Sequence, residues 1–282
     1  MAKLSPQPDV LVLGEHPAAY LAAALLRDKP TLNVTHATIP GERARQRLVI
    51  VNPSFFPLHT GLDKVRKKMS LTGVWGVTFV SDKAETRGDY RAKSAVGFVG
   101  CYDDVRRATA EVAKAAGVKL LTPTSMSIVR IDERGLLVEM DGVEIQAKAM
   151  LLAGDLAPED GRKLRLPEPW AADQLRRYSF VRLRCKPAEI DNRPIIPMSL
   201  DLGGQLTWAW MLPGTNEVQL AVEHPPGNGN GALDLLKHWV EVLTRHGMMK
   251  AGDCVEGDEV RTMEIPAAGA LVRECVWPTA LC

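Results

Sequence analysis

Gly14, His16 and Ala19 occupy the three spaced positions of a GxGxxG pattern, within the stretch Pro8-Asp9-Val10-Leu11-Val12-Leu13-Gly14-Glu15-His16-Pro17-Ala18-Ala19-Tyr20. The chemistry of that pattern is electrostatic. A helix N-terminus presents unpaired backbone N–H groups and a partial positive charge, and a pyrophosphate docks against them. Gly14 supplies the sharp turn off a strand, and Ala19 adds only a methyl where the helix meets the sheet. His16 departs more seriously, because it replaces the glycine that lets backbone approach the phosphates and puts an imidazole where the ligand would lie. The candidate cofactor contacts at this turn are Gly14, His16, Pro17, Ala18 and Ala19.

A dinucleotide site also asks for an Asp or Glu about 20 residues past the glycines, to accept hydrogen bonds from a ribose. Thr35, His36 and Ala37 stand there and none is acidic. His36 lies nearest the slot, either as a contact to ribose or base or as a polar residue ending a strand. A third candidate pair, Gly154 and Asp155, follows the apolar run Ala149-Met150-Leu151-Leu152-Ala153, which reads as a strand buried on both faces that brings backbone close to a ligand.

Other reactive residue types offer less. Arg43, Arg45 and Arg47 alternate and read as a solvated loop, with a phosphate-facing groove as the other reading. The six histidines (His16, His36, His59, His224, His238, His246) show no ligand spacing beyond His238 and His246, eight apart on one helix, which argues against a metal. Glu223 and His224 end a strand beside a loop and read as surface polar residues rather than an acid/base pair. Cys101, Cys185, Cys254, Cys275 and Cys282 are odd in number, far apart and without a CxxC, which argues against a disulfide framework or a structural zinc.

The elements that must position these residues follow from periodicity. Residues 8–26 read as strand, tight turn and helix, residues 31–37 as a second strand and 48–53 as a third. A basic helix over 63–69 precedes an apolar strand over 74–80 that contains Trp75. Residues 103–116 carry apolar positions at helical spacing, with Gly117 as the C-terminal cap. Strands at 118–121, 127–131, 136–140 and 143–147 follow, the last two joined by an Asp141-Gly142 hairpin turn. Past Pro167 the alternation at 179–185, 197–201, 205–212 and 217–222 predicts a mostly antiparallel sheet, followed by a helix over 232–246 with one apolar face.

The whole chain of 282 residues is 46% hydrophobic and 24% charged, with 35 basic and 34 acidic side chains, so it carries no electrostatic footprint for nucleic acid or an anionic membrane. No apolar run is long enough to span a bilayer and no signal-peptide core is evident, which predicts a cytoplasmic protein.

The order of these elements, with the helix Val105-Arg106-Arg107-Ala108-Thr109-Ala110-Glu111-Val112, the Ala153-Gly154-Asp155 strand end and the segment Leu206-Thr207-Trp208-Ala209-Trp210-Met211-Leu212-Pro213, resembles the FAD-dependent oxidoreductases related to geranylgeranyl reductases and to hydroxylases of the p-hydroxybenzoate hydroxylase type. The resemblance implies an α/β architecture: a Rossmann-like FAD/NAD(P)-binding fold with an inserted, mostly antiparallel β-sheet substrate region. It assigns residues 1–160 to the FAD-binding region, 161–262 to the substrate region and 263–282 to an incomplete return. It further implies FAD as cofactor, NAD(P)H as electron donor, and a hydrophobic small-molecule substrate walled by Trp208 and Trp210, whose period-two spacing puts both on one sheet face. Tyr102 stands where that family places an arginine. The family's Gly-Asp motif is not reached after Ile265-Pro266-Ala267-Ala268-Gly269-Ala270-Leu271, so the chain reads as a truncated product. The departures keep a second class open, a cofactor-free relative that binds a ligand or protein. A simple NAD(P) dehydrogenase fits the element order less well.

Overall fold

Val10–Leu13 forms a fully apolar strand at the centre of a six-stranded sheet, and its period-two alternation feeds two cores at once. The computed structural model describes residues 7–39, 47–83, 86–154, 156–164, 166, 175–204, 207–224, 229–250, 260–266, 276–277 and 280–281. Val12 faces helices α1 (Pro17–Arg27), α2 (Thr60–Arg66) and α3 (Tyr102–Ala115), joining a core with Ala23, Leu62, Val105 and Val112. Leu11 and Leu13 face the other way, onto Ile128, Leu136 and Val138 of a three-stranded meander. The sheet is a doubly covered parallel sheet, which is why its strands read as continuous apolar runs.

Its order is Val276–Trp277, Ala280–Leu281, Ala149–Leu152, Val10–Leu13, Val34–Ala37, Lys119–Leu121. All neighbours run parallel except the first pair. The meander Met126–Asp132, Gly135–Met140, Val143–Ala147 turns at Asp141 (φ 49°) and Gly142 (φ 75°), so both central residues are left-handed, as an Asp-Gly hairpin requires. The short helix α4 (Pro158–Lys163) packs beside it and sends the Asp160 carboxylate to the Ile128 N–H.

A second, seven-stranded sheet has the order Arg261–Pro266, Leu175–Leu183, Val218–His224, Ala209–Pro213, Ile196–Ser199, Gly76–Val80, Arg87–Arg91, antiparallel except where Ile196–Ser199 meets Gly76–Val80. One face packs on helix α5 (Gly229–Arg245), with Val181, Met211, Leu220 and Val222 against Leu236, Trp239 and Leu243. The other face meets a small sheet of Leu48–Val51, Gly97–Cys101 and Thr72–Val74 through Leu48, Val74, Val99, Ile196, Leu212 and Trp210. Each sheet thus draws on several stretches of chain, and the two share this apolar seam.

The continuous strand expected over 74–80 is broken at Trp75. Thr72–Val74 belongs to the small sheet and Gly76–Val80 to the large one. The break is held from outside: the Trp75 N–H donates to the Pro194 carbonyl (2.9 Å), its carbonyl accepts from the Ala92 N–H (2.8 Å), and the Arg193 guanidinium stacks on its ring at 4.5 Å. The helix expected over 63–69 starts earlier, at Thr60, because His59 accepts from the Gly61 N–H (2.9 Å) and caps it. The predicted strand at 205–212 is ordered as Ala209–Pro213, with residues 205 and 206 outside the described residues. Among the described residues, no helix is long and apolar enough to cross a membrane.

Candidate functional site

The strand Val10–Leu13 ends at Gly14, whose φ of +126° lies where L side chains are strained. A Cβ built there would sit 2.0 Å from the Ala153 carbonyl oxygen. The glycine is therefore demanded by the neighbouring strand end: Gly14 and the Ala153-Gly154 backbone are in direct contact, so the candidates at 14 and 154 share one corner. Asp155 lies outside the described residues.

After Gly14 the donors of the turn are taken one by one. Pro17, the first helical residue, has no N–H. The Ala18 N–H donates to the His16 Nδ1 at 3.1 Å, and the Ala19 N–H donates to the His16 carbonyl at 2.8 Å. The imidazole is the N-cap of α1, in an extended conformation (φ −65°, ψ 140°), and its ring leans on Tyr102 at 5.9 Å. Glu15 adds a carboxylate beside the turn. Arg106 lies 3.8 Å from it and also 3.5 Å from Asp103, so this guanidinium is shared by two anions. A pyrophosphate placed here would find the Ala18 and Ala19 N–H groups already bonded, Pro17 without one and the Glu15 carboxylate alongside; in this conformation the turn does not fit that group.

His36, nearest the ribose slot, stands near the end of its strand with its side chain turned inward. It is fully buried within Val34–Ala37, a strand all of whose residues are covered. Its Nε2–H donates to the Gly14 carbonyl at 2.7 Å, and its ring stacks on Tyr20 at 4.1 Å with 27° between planes. That bond fixes the proton on Nε2 and leaves Nδ1 buried without a hydrogen-bond partner among the described residues. Burial pushes the pKa down to about 4, against the opposing pull of the Gly14 carbonyl, so the ring is neutral at neutral pH. His36 props up the turn from beneath.

Arg47 is not part of a solvated loop. It is half-buried, donates to the Met263 sulfur at 3.1 Å, and its guanidinium lies 5.4 Å from the centre of the Tyr102 ring. Arg43 and Arg45 lie outside the described residues. A cation from the residue just before Leu48–Val51 thus stands beside Tyr102, the first residue of α3.

Trp208 and Trp210 lie on the less buried face of their segment, opposite Ala209 and Met211. Trp210 packs on Tyr178 at 5.0 Å and joins the seam between the two sheets, while Trp208 is exposed. Glu223 and His224 point to opposite faces of their strand, as alternation requires. Glu223 pairs with Arg176, whereas His224 is buried, with its Nε2 2.9 Å from the Ser179 hydroxyl, and so is no surface residue.

The six histidines hold structure. His16 and His59 cap helices, His36 and His224 bond buried groups, His238 pairs with Asp82 at 2.8 Å, and His246 bonds the Ser81 carbonyl at 3.0 Å. Tyr20 and Arg106 were not among the candidates the sequence offered for this corner. Tyr20, four residues beyond His16 on one helix face, carried the one available signal.

No protein-family profile matches the sequence. None of the curated proteins matches it either. Solved structures do resemble it: a triple mutant of the flavin-dependent brominase Bmp2 (TM-score 0.73, 15% identity, 98% of this chain and 72% of that one) and a geranylgeranyl bacteriochlorophyll reductase-like protein from Thermoplasma acidophilum (0.71, 15%, 97% and 70%). A third is pqsL, a probable FAD-dependent monooxygenase from Pseudomonas aeruginosa (0.68, 16%, 97% and 77%). The chain therefore has the fold of the FAD-dependent oxidoreductases, a Rossmann-like sheet joined to an antiparallel one. Within that class the three similar proteins are described as a halogenating enzyme, a reductase-like protein and a monooxygenase, so the fold does not name a reaction.

Proposed function

We propose that this chain uses the flavoprotein oxidoreductase fold as a scaffold that binds a hydrophobic small molecule against the Trp210 and Tyr178 side of the second sheet, with the dinucleotide turn closed by its own His16. The observation that carries this reading is the Ala18 N–H donated to the His16 Nδ1 beside a proline that has no N–H. Three features reinforce it: the carboxylate of Glu15, the inward-turned His36, and the absence of an acidic residue among Thr35, His36 and Ala37.

A second reading is an FAD-dependent oxidoreductase, of monooxygenase or reductase type, that acts on a hydrophobic small molecule with electrons from NAD(P)H. Arg47 favours it, because its guanidinium beside Tyr102 restores a cation at the position of the missing arginine. FAD would then supply the redox chemistry. The chain's part would be to release Ala18 by rotating the exposed His16 ring, at a cost of about 1 kcal/mol for one capping hydrogen bond.

An absorption spectrum of the purified protein, followed by titration with FAD, separates the two. The scaffold reading expects no flavin bands and no saturable binding in the wild type, with measurable FAD affinity gained in His16→Gly. Flavin bands at near-stoichiometric level in the wild type would overturn it in favour of the oxidoreductase.

A further inference from the structure

The strand Leu175–Leu183 leaves the seven-stranded sheet through the run Arg182-Leu183-Arg184-Cys185-Lys186. An extended chain alternates faces, and here Leu183 and Cys185 are buried in the core beneath α5 while Arg184 and Lys186 stand exposed on the other side. Thr215 and Asn216, on the hairpin turn that joins Ala209–Pro213 to Val218–His224, come alongside, as does Lys250 after the end of α5. These five residues line a cleft of about 350 Å³. It shares Arg184, Thr215 and Asn216 with an adjoining cleft of about 620 Å³ that extends to Asp104 and Glu217.

Charge is matched in one part and unmatched in the other. In the larger cleft Arg182 grips Glu217 with two nitrogens, at 2.9 and 2.6 Å, and Asp104 pairs with Arg107. In the smaller one Arg184, Lys186 and Lys250 make no ion pair or hydrogen bond with any described residue, and among the described residues no carboxylate lines it. Three cations around one hollow, none matched by a described carboxylate, repel each other and focus a positive potential into it. The neutral groups beside them are suited to the same partner: the Asn216 amide and the Thr215 hydroxyl, the latter 3.4 Å from the Thr72 hydroxyl, can both donate.

We propose that this cleft binds a compact oxyanion carrying at least two negative charges, a phosphate ester or a polycarboxylate. Arg184 supplies a planar fork for two oxygens, Lys186 and Lys250 supply point charges, and the turn supplies neutral donors. The site lies away from the His16 turn and does not depend on whether flavin binds there.

Isothermal titration of the full chain in 150 mM salt with inorganic pyrophosphate and, separately, with citrate tests this. Near-stoichiometric binding of at least one probe is expected, with the tighter of the two assigning phosphate or carboxylate as the preferred class. The triple variant Arg184→Gln, Lys186→Gln, Lys250→Gln, all at exposed positions, should weaken binding at least tenfold. A control of equal charge change at exposed positions elsewhere, Lys29→Gln, Lys64→Gln, Lys237→Gln, should leave it within twofold. Failure of both probes to bind the wild type, equal affinity in the cleft variant, or an equal loss in the control would each overturn the assignment.

Discussion

His36 and His238 sit in the two halves of this molecule and meet opposite environments. His36, under the Gly14 turn, is fully buried with one nitrogen unpartnered among the described residues, so loss of water dominates and the neutral ring is favoured. His238, on α5, reaches a carboxylate: its Nε2 lies 2.8 Å from Asp82 and its Nδ1 3.3 Å from Glu241, and the Asp82 hydrogen bond raises its pKa above the ordinary value. Asp82 is itself nearly buried. Burial pushes its carboxyl up, but hydrogen bonds from His238, the Gly203 N–H and Arg245 outweigh that and hold it below the usual carboxylate range. The same side chain is a neutral prop under the Gly14 turn and, on α5, a carboxylate's partner whose protonated form is favoured. What decides is whether a buried carboxylate lies within reach.

The corner that holds His36 is most vulnerable at Gly14. Gly14→Ala drives a methyl into the Ala153 carbonyl at a backbone conformation alanine resists, and should cost about 4 kcal/mol or more. Chemical denaturation would show the loss. A midpoint unchanged from the wild type would mean that the Gly14 and Ala153 backbones do not meet as described.

A smaller effect at the same corner reads out through pH. His36 titrates near 6.5 when unfolded and near 4 when folded, so its contribution is complete above pH 6.5 and fades as the pH falls toward 4. About 3 kcal/mol should be lost over that window, the product of the shift and about 1.4 kcal/mol per unit. His36→Phe, which keeps the stack on Tyr20, should flatten this part of the stability curve. An equally steep acid loss in the variant would assign the transition to other groups.

The pair of His238 and Asp82 moves the other way and by less. With its pKa raised, His238 contributes fully below pH 6.5 and loses that contribution as the pH rises through its folded value, whereas Asp82 contributes above about pH 4 and loses it below. Because His238 is about one-third exposed, solvent screening limits the pair to about 1 kcal/mol. Hydrogen exchange should therefore show amides of α5 better protected at pH 5.5 than at pH 8, while those of Val34–Ala37 become less protected. Asp82→Asn should abolish the α5 difference alone. Parallel changes in both regions would show that the two halves respond as one unit.

Local chemistry carried much of the fold. The strand, turn and helix at residues 8–26, the helix ending at Gly117 and the Asp141-Gly142 hairpin were legible because each is set by near neighbours: an apolar run, a cap, a turn that needs two left-handed residues. The face shared by Trp208 and Trp210 was legible for the same reason, the period of an extended chain. The break at Trp75 was not, because it depends on Pro194 and Ala92 arriving from other segments. Nor was the state of the candidate site. Sequence by itself determined that a dinucleotide-type turn exists and that an imidazole stands in it. Only the tertiary structure decided that His36 turns inward onto Tyr20 and Gly14, and that Arg47 crosses to Tyr102. Those outcomes rest on which donors, acceptors and rings remain unpaired after packing, a quantity defined between distant segments and invisible in their spacing along the chain.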